Sequence, residues 1–242
     1  MPKTTCIELP GVEPIPILYE DRGVLAIDKP RGWMLVPFSW QKTDRNLQAA
    51  LVSSIAAGDF WARSRGLKFI RCAHRLDADT TGILLFAKSM GGLDAYGNLF
   101  ESRRMEKTYL AIVHGSPKEM DWTCRLKLAQ DPNQIGRMRI DSRVGKESET
   151  RFRVLQTRGS FTLVEAYPLT GRTHQIRVHL AESGLPVVGD EWYGQPRAKG
   201  SPGLGLRAVR LAYADPFTRR RVDIRAPCDQ FVREFGFDIS KL

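Results

Sequence analysis

Residues 74–89 read HRLDADTTGILLFAKS: a polar loop with two carboxylates runs without a break into an apolar segment and ends at a serine suited to cap a helix. The apolar part, GILLFA at 82–87, has no alternation and suits a strand buried on both faces. A loop at the mouth of such a strand is held by the core yet open to a substrate, which makes it a good place for a reactive group. Asp77 lies two residues from Arg75 and two from Asp79, a geometry that permits one carboxylate there to react. The plainer alternative is a capped turn, with Thr80 and Thr81 bonding backbone amides and Gly82 supplying an unusual φ. Spacing alone leaves both open.

Outward from this stretch the signals alternate between strand and helix. ILYEDRGVLAID at 17–28 predicts two strands around a turn at Asp21 to Gly23, the second ended by Lys29, Pro30 and Gly32. Asp44 is placed to cap a helix whose Leu47, Ala50, Leu51 and Ile55 share a face and which Gly58 stops. A basic connector is expected over 59–72. Ser89 caps a predicted helix over 90–102, weakened by Gly91, Gly92 and Gly97. KTYLAIV at 107–113 reads as a second buried strand, and 149–157 with 161–167 as a hairpin turning at Arg158, Gly159 and Ser160. A helix over 173–183 ends at Gly184, strands follow at 206–213 and 219–225, and a C-terminal helix puts Phe231 and Phe235 on one face. Strands outnumber helices and are joined by tight turns, so the class is α+β, a mixed and mainly antiparallel sheet with helices packed on it.

At 242 residues the chain suits one domain or two joined lobes, and no repeat, low-complexity block or Gly/Ser linker divides it. No apolar run is long enough to span a bilayer and MPKTTCIELP is not a secretory signal, so a cytoplasmic location is expected. Cys6, Cys72, Cys124 and Cys228 are too far apart for a zinc site and read as reduced, mostly buried thiols. Thirty-seven Lys and Arg against 27 Asp and Glu give a charge of +10, which favours a polyanion without choosing between nucleic acid, anionic membrane and acidic metabolites. Glycine-rich dinucleotide and phosphate loops, G-x-S-x-G and H-E-x-x-H are missing from the sequence. No cofactor is expected. Nor is a metal, since His174 and His179 are five apart and do not align on one helix face.

HRLDADTTG resembles the H-R-L-D-x-D-T-S-G signature of the RluA family of RNA pseudouridine synthases. Three further blocks resemble the same family in order and approximate spacing: VLAIDKPRGWMLVP (24–37), EKTYLAIVHG (106–115) and PLTGRTHQIRVHLAESGLPVVGDEWYG (168–194). The resemblance covers roughly 17–227. It implies an N-terminal extension (1–16), a pseudouridine synthase catalytic domain (17–227) standing without an S4-type RNA-binding domain, a C-terminal helix and tail (228–242), and a central active-site cleft.

Roles follow from the resemblance position by position. Asp77 matches the essential aspartate, Tyr109 the tyrosine that packs on the target base, and Arg172 the arginine that pairs with the carboxylate. Arg75 matches the residue proposed to fill the gap left by a flipped nucleotide, while Lys107 and Ile176 match pocket-lining positions. The stretch 131–147 resembles the family's mobile RNA-gripping loop and offers Arg137, Arg139, Arg143 and Lys146. Other basic clusters are Arg63, Arg65, Lys68 and Arg71 beside Trp61, Arg103 with Arg104, and Arg219 to Arg221; each is equally readable as a solvated face. Two positions depart from the family pattern: Thr81 stands for serine and Arg207 for histidine.

The implied activity isomerises uridines in structured RNA, a ribosomal or transfer RNA stem-loop, after flipping the nucleotide. It calls for neither DNA nor membrane, and a monomer suffices. A carboxylate that attacks C1′ or takes a ribose proton must be ionised in a water-poor pocket, where burial raises its pKa and an arginine opposes the rise. The competing readings are an RNA-binding or RNA-folding module with vestigial activity and a glycosidase of free nucleosides.

Overall fold

A computed structural model describes residues 3–35, 45–195 and 202–238. The chain divides into two compact units: the first comprises Met1–Met105 with Leu211–Ala226, the second Glu106–Arg210 with Pro227–Leu242. Among the described residues no helix is long and apolar enough to cross a membrane.

The first unit contains β1 (Cys6–Ile7), β2 (Ile15–Glu20), β3 (Val24–Lys29), α1 (Leu47–Ala57), α2 (Phe60–Arg63), β4 (Arg71–Cys72), β5 (Thr81–Ala87) and α3 (Met90–Glu101). The predicted turn between β2 and β3 forms because Asp21 Oδ1 accepts the N–H groups of Gly23 and Val24, each at 2.8 Å. The sheet runs β1-β2-β3-β5, with β4 on β5, and its pairs are antiparallel. Leu25, Ile27, Leu84, Leu85 and Phe86 are fully buried, as a strand apolar on both faces requires.

Caps set the helix ends. The Asn46 side chain accepts from Ala49 N at the head of α1, Gly58 closes it in the left-handed region, and Ser89 accepts from Gly92 N to start α3. Asp44 lies outside the described residues, and the observed cap is Asn46. The stretch read as a basic connector instead holds α2 and β4. Trp61 of α2 is buried and donates to Ser54 Oγ at 2.7 Å.

The second unit continues with β6 (Glu106–His114), β7 (Asp121–Cys124), β8 (Leu128–Gln130), β9 (Met138–Ile140), β10 (Thr150–Arg158), β11 (Phe161–Pro168), α4 (Gln175–Glu182) and β12 (Leu206–Ala214), whose last residues count with the first unit. β13 (Arg221–Arg225) pairs with β12, and α5 (Asp229–Glu234) follows. The antiparallel order β6-β11-β10-β7 places Tyr109 opposite Ala166. One face buries Ala111, Val113, Phe152, Val164, Ile176 and Leu180 together; Leu110, Ile112 and Leu163 pack with Phe231 of α5, whose ring meets Phe235 edge-on as its spacing predicted. β13 starts at Arg221, later than the predicted 219, because Asp215 Oδ1 gathers Phe217 N and Thr218 N into a turn that puts Arg219 at φ 63°. All four cysteines are free, but only Cys124 is buried and the other three are half-buried, a correction to the mostly buried set expected.

Candidate active site

In the first unit the Asp77 loop sits over a buried ammonium. Lys29, last residue of β3 and opposite Gly82, is fully buried. Its Nζ donates to the carbonyls of Ala78 (2.6 Å), Thr80 (3.0 Å) and Pro30 (3.1 Å). A buried charge is tolerable only when hydrogen-bonded, and here the acceptors are the loop itself. Gly32 N also donates to Ala78 O at 2.9 Å, and Thr80 N closes a turn on Asp77 O at 3.2 Å. Asp77 is thus half-buried on a backbone pinned immediately after it, while Arg75 and Asp79 are exposed. Burial pulls the Lys29 ammonium down to about 7 against the opposing pull of Asp79 and Asp77. At φ 102° Gly82 takes the unusual backbone expected of it, letting the loop enter β5. His74 Nε2 accepts from Leu85 N at 3.1 Å, and its ring stacks on Phe100 with centroids 4.5 Å apart.

The second unit holds the remaining candidates. Lys107 and Tyr109 are two apart on β6, hence on one face. Lys107 Nζ donates to Thr170 O at 3.0 Å, and burial lowers its pKa to about 8. Half-buried Tyr109 packs on the apolar cluster that contains Ile176.

Arg172 lies just before α4, which begins at Gln175 rather than 173 because His174 adopts the left-handed conformation, φ 54°. The buried Gln175 side chain staples this loop. Its Oε1 accepts from Thr170 Oγ1 (2.7 Å) and Arg172 N (3.0 Å), and its Nε2 donates to Glu149 O and Thr150 Oγ1, both at 2.9 Å. Arg172 Nε donates to Glu147 O at 3.1 Å. Lys107, Tyr109, Arg172 and Ile176 therefore belong to the second unit, whereas Asp77 and Arg75 belong to the first.

The stretch expected as a loop at 131–147 is mostly turns and irregular backbone; within it Met138–Ile140 form β9, which pairs with β8, and Lys146 bridges Leu128. Arg139, Arg143 and Lys146 are exposed, with Arg139 paired to Asp141 at 2.7 Å. Half-buried Arg137 lies over the Tyr193 ring, 5.5 Å from its centroid.

Of the other basic clusters, the one beside Trp61 is broken up. Arg65 is 2% exposed at its side chain and bound to Glu20 and to Thr4, leaving Arg63, Lys68 and Arg71 at the surface. Arg103, Arg104 and Arg219 to Arg221 are exposed. Arg207 is buried and donates through Nε and Nη2 to Pro227 O at 2.9 and 2.8 Å, a structural task that a histidine cannot perform through two parallel donors.

Sequence reasoning passed over four residues that shape these sites. Lys29 was read as a strand end within a matched block, His179 as a metal ligand to be excluded, and Gln175 and Tyr193 only as parts of matched blocks. His179 is fully buried between Thr150 Oγ1 at Nδ1 and both Ser148 Oγ and Leu126 O at Nε2, each 3.0 Å away, and burial lowers its pKa. The available signal was a polar residue amid apolar neighbours, since interior polar groups are retained only with partners. Among the described residues no three His, Cys, Asp or Glu side chains gather to hold a metal.

The pattern of the RNA pseudouridylate synthase family matches residues 23–182, a span that contains Asp77, Lys107, Tyr109, Arg172 and Ile176. The chain is 33% identical over 226 residues to the Bacillus subtilis uncharacterized RNA pseudouridine synthase YlyB, covering 93% of this chain and 73% of that one. It is 33% identical over 227 residues to the ribosomal large subunit pseudouridine synthase C of Vibrio cholerae, covering 90% and 67%. The solved structure of human RNA pseudouridylate synthase domain containing 1 superposes with a TM-score of 0.71 at 28% identity, over 91% of this chain and 86% of that one. With four sequence blocks, the mainly antiparallel sheet and these likenesses in agreement, the chain belongs to the RluA family of RNA pseudouridylate synthases and is an isomerase that forms pseudouridine in RNA.

Proposed function

We propose that Asp77 is the carboxylate on which the isomerisation depends, acting on a uridine flipped out of a ribosomal or transfer RNA stem-loop. Asp77 adds to C1′ or removes a ribose proton. In either case the N1–C1′ bond breaks and the uracil turns; C5 then bonds to C1′ as the Asp77–C1′ bond breaks or the ribose proton is returned, and the C5 proton is lost while N1 gains one, so no external reactant is consumed. Arg172 pairs with the carboxylate and keeps it ionised, Tyr109 stacks on the base, and Lys107 and Ile176 line the pocket. Arg75 fills the space of the flipped nucleotide, while Arg137, Arg139, Arg143 and Lys146 hold phosphates. The protein works as a monomer in the cytoplasm, without a cofactor, metal, DNA or membrane partner.

One observation carries this reading: the half-buried Asp77 stands on a turn whose next carbonyls are held by a fully buried lysine, a costly arrangement that an ordinary surface turn does not need. Replacing Asp77 by Asn is expected to abolish pseudouridine formation in a substrate RNA while RNA affinity stays within a few-fold. Turnover near the parent rate would refute the assignment. Comparing pseudouridine maps of cellular RNA with and without the gene identifies the target.

A further inference from the structure

Tyr193 stands at the end of a turn built on α4. Arg177 of α4 and Asp190 form a buried bidentate ion pair, Nε–Oδ2 at 2.7 Å and Nη2–Oδ1 at 2.8 Å. Asp190 Oδ1 also accepts the N–H groups of Trp192 (3.0 Å) and Tyr193 (3.2 Å), which sets the direction of the chain at Tyr193. The Tyr193 ring is thereby placed against the Arg177 guanidinium, 5.2 Å from the centroid, and the Arg137 guanidinium lies 5.5 Å from the same centroid. Its hydroxyl accepts the N–H of Met138 in β9 at 2.7 Å and lies 2.8 Å from Nδ1 of His174, the left-handed residue that heads α4. The phenol oxygen accepts from Met138 N and carries one proton of its own, so it can bridge β9 to the His174 ring with either partner of the Nδ1 contact as the donor.

The basic ribbon is thus tied to the Arg172 segment at two points. The segment after β9 supplies the Glu147 carbonyl to Arg172 Nε, and β9 itself reaches His174, two residues from Arg172, through one phenol oxygen. We propose that Tyr193 is a positioning residue for the isomerisation: it links the RNA-facing β8–β9 ribbon to the head of α4, so that seating of RNA phosphates on the ribbon sets the orientation of Arg172. The phenol makes the link because it offers one acceptor and one donor at the end of a rigid ring. The inference rests on the reading of Arg172 as the partner of the reactive carboxylate.

The test is Tyr193→Phe, which keeps the ring and both guanidinium contacts and removes only the oxygen. Turnover at saturating RNA is expected to fall roughly tenfold, as a small misplacement of a reacting group produces. KM for RNA should stay within about twofold and the melting temperature within a few degrees. Retained kcat, or a loss confined to KM or to the unfolded fraction, overturns the link. His174→Ala removes the other end of the same hydrogen bond and gives a second route should the first variant fold poorly. The double variant should be no slower than the slower single variant, and multiplying losses would count against a shared link. Arg172→Ala separates the two levels. If it turns RNA over at the parent rate, the reading of the site fails; if it is inactive while Tyr193→Phe keeps the parent kcat, only the coupling fails.

Discussion

Replacing Lys29 by Met tests whether the buried ammonium holds the Asp77 loop. The side chain is fully buried and its three acceptors are the carbonyls of Pro30, Ala78 and Thr80. Methionine fills a similar volume and donates nothing. Ala78 O keeps the N–H of Gly32, but the Thr80 carbonyl loses its lysine donor. An orphaned buried acceptor costs roughly 1–3 kcal/mol, and each charge-assisted hydrogen bond contributes about 1.5–3 kcal/mol. Relief of the ammonium's desolvation offsets part of that, so a net loss of about 2–4 kcal/mol of folding stability is expected. The same change frees the backbone directly after Asp77, and a displacement of about 1 Å at a reacting group lowers the rate about a hundredfold. Urea unfolding gives the first quantity, and single-turnover pseudouridine formation at saturating RNA, corrected for folded fraction, gives the second. Parent-like turnover per folded molecule, or a stability loss below about 1 kcal/mol, would refute the reasoning.

Two further outcomes follow from buried groups of the second unit. Asp190→Ala leaves the Arg177 guanidinium buried without its carboxylate and takes the acceptor from Trp192 N and Tyr193 N, so stability should drop by about 3–5 kcal/mol in a denaturant titration. His179 is held neutral by burial, its folded pKa lying below 6.5. Above that value neither state binds the proton. As pH falls below it the unfolded chain takes the proton first, so stability is lost at a slope of up to about 1.4 kcal/mol per pH unit. Melting curves of His179→Gln between pH 7 and 5 should show a shallower decline than the parent, and identical slopes would contradict the assignment.

The local signals were legible because their physics is local. Asp21 turned the first hairpin, Ser89 capped α3, Gly58 stopped α1, and the apolar run at 82–87 became the buried β5, each decided by residues within a few positions of one another. The elements missed, β1, α2, β4 and the pairs involving β7 to β9, are two to four residues long, too short to display a period.

The matched blocks put forward Asp77, Tyr109 and Arg172 as candidates without coordinates. What holds those residues did not show in the sequence. Lys29 reaches carbonyls 49 and 51 residues away, Tyr193 an amide 55 away, and Arg65 a carboxylate 45 away. A lysine at a strand end and an arginine in a basic cluster look alike in sequence whether solvated or buried. Only the packing of distant segments removes water from one and leaves the other wet, and that difference in desolvation made Lys29 a clamp, took Arg65 out of the exposed basic residues and turned Arg207 inward.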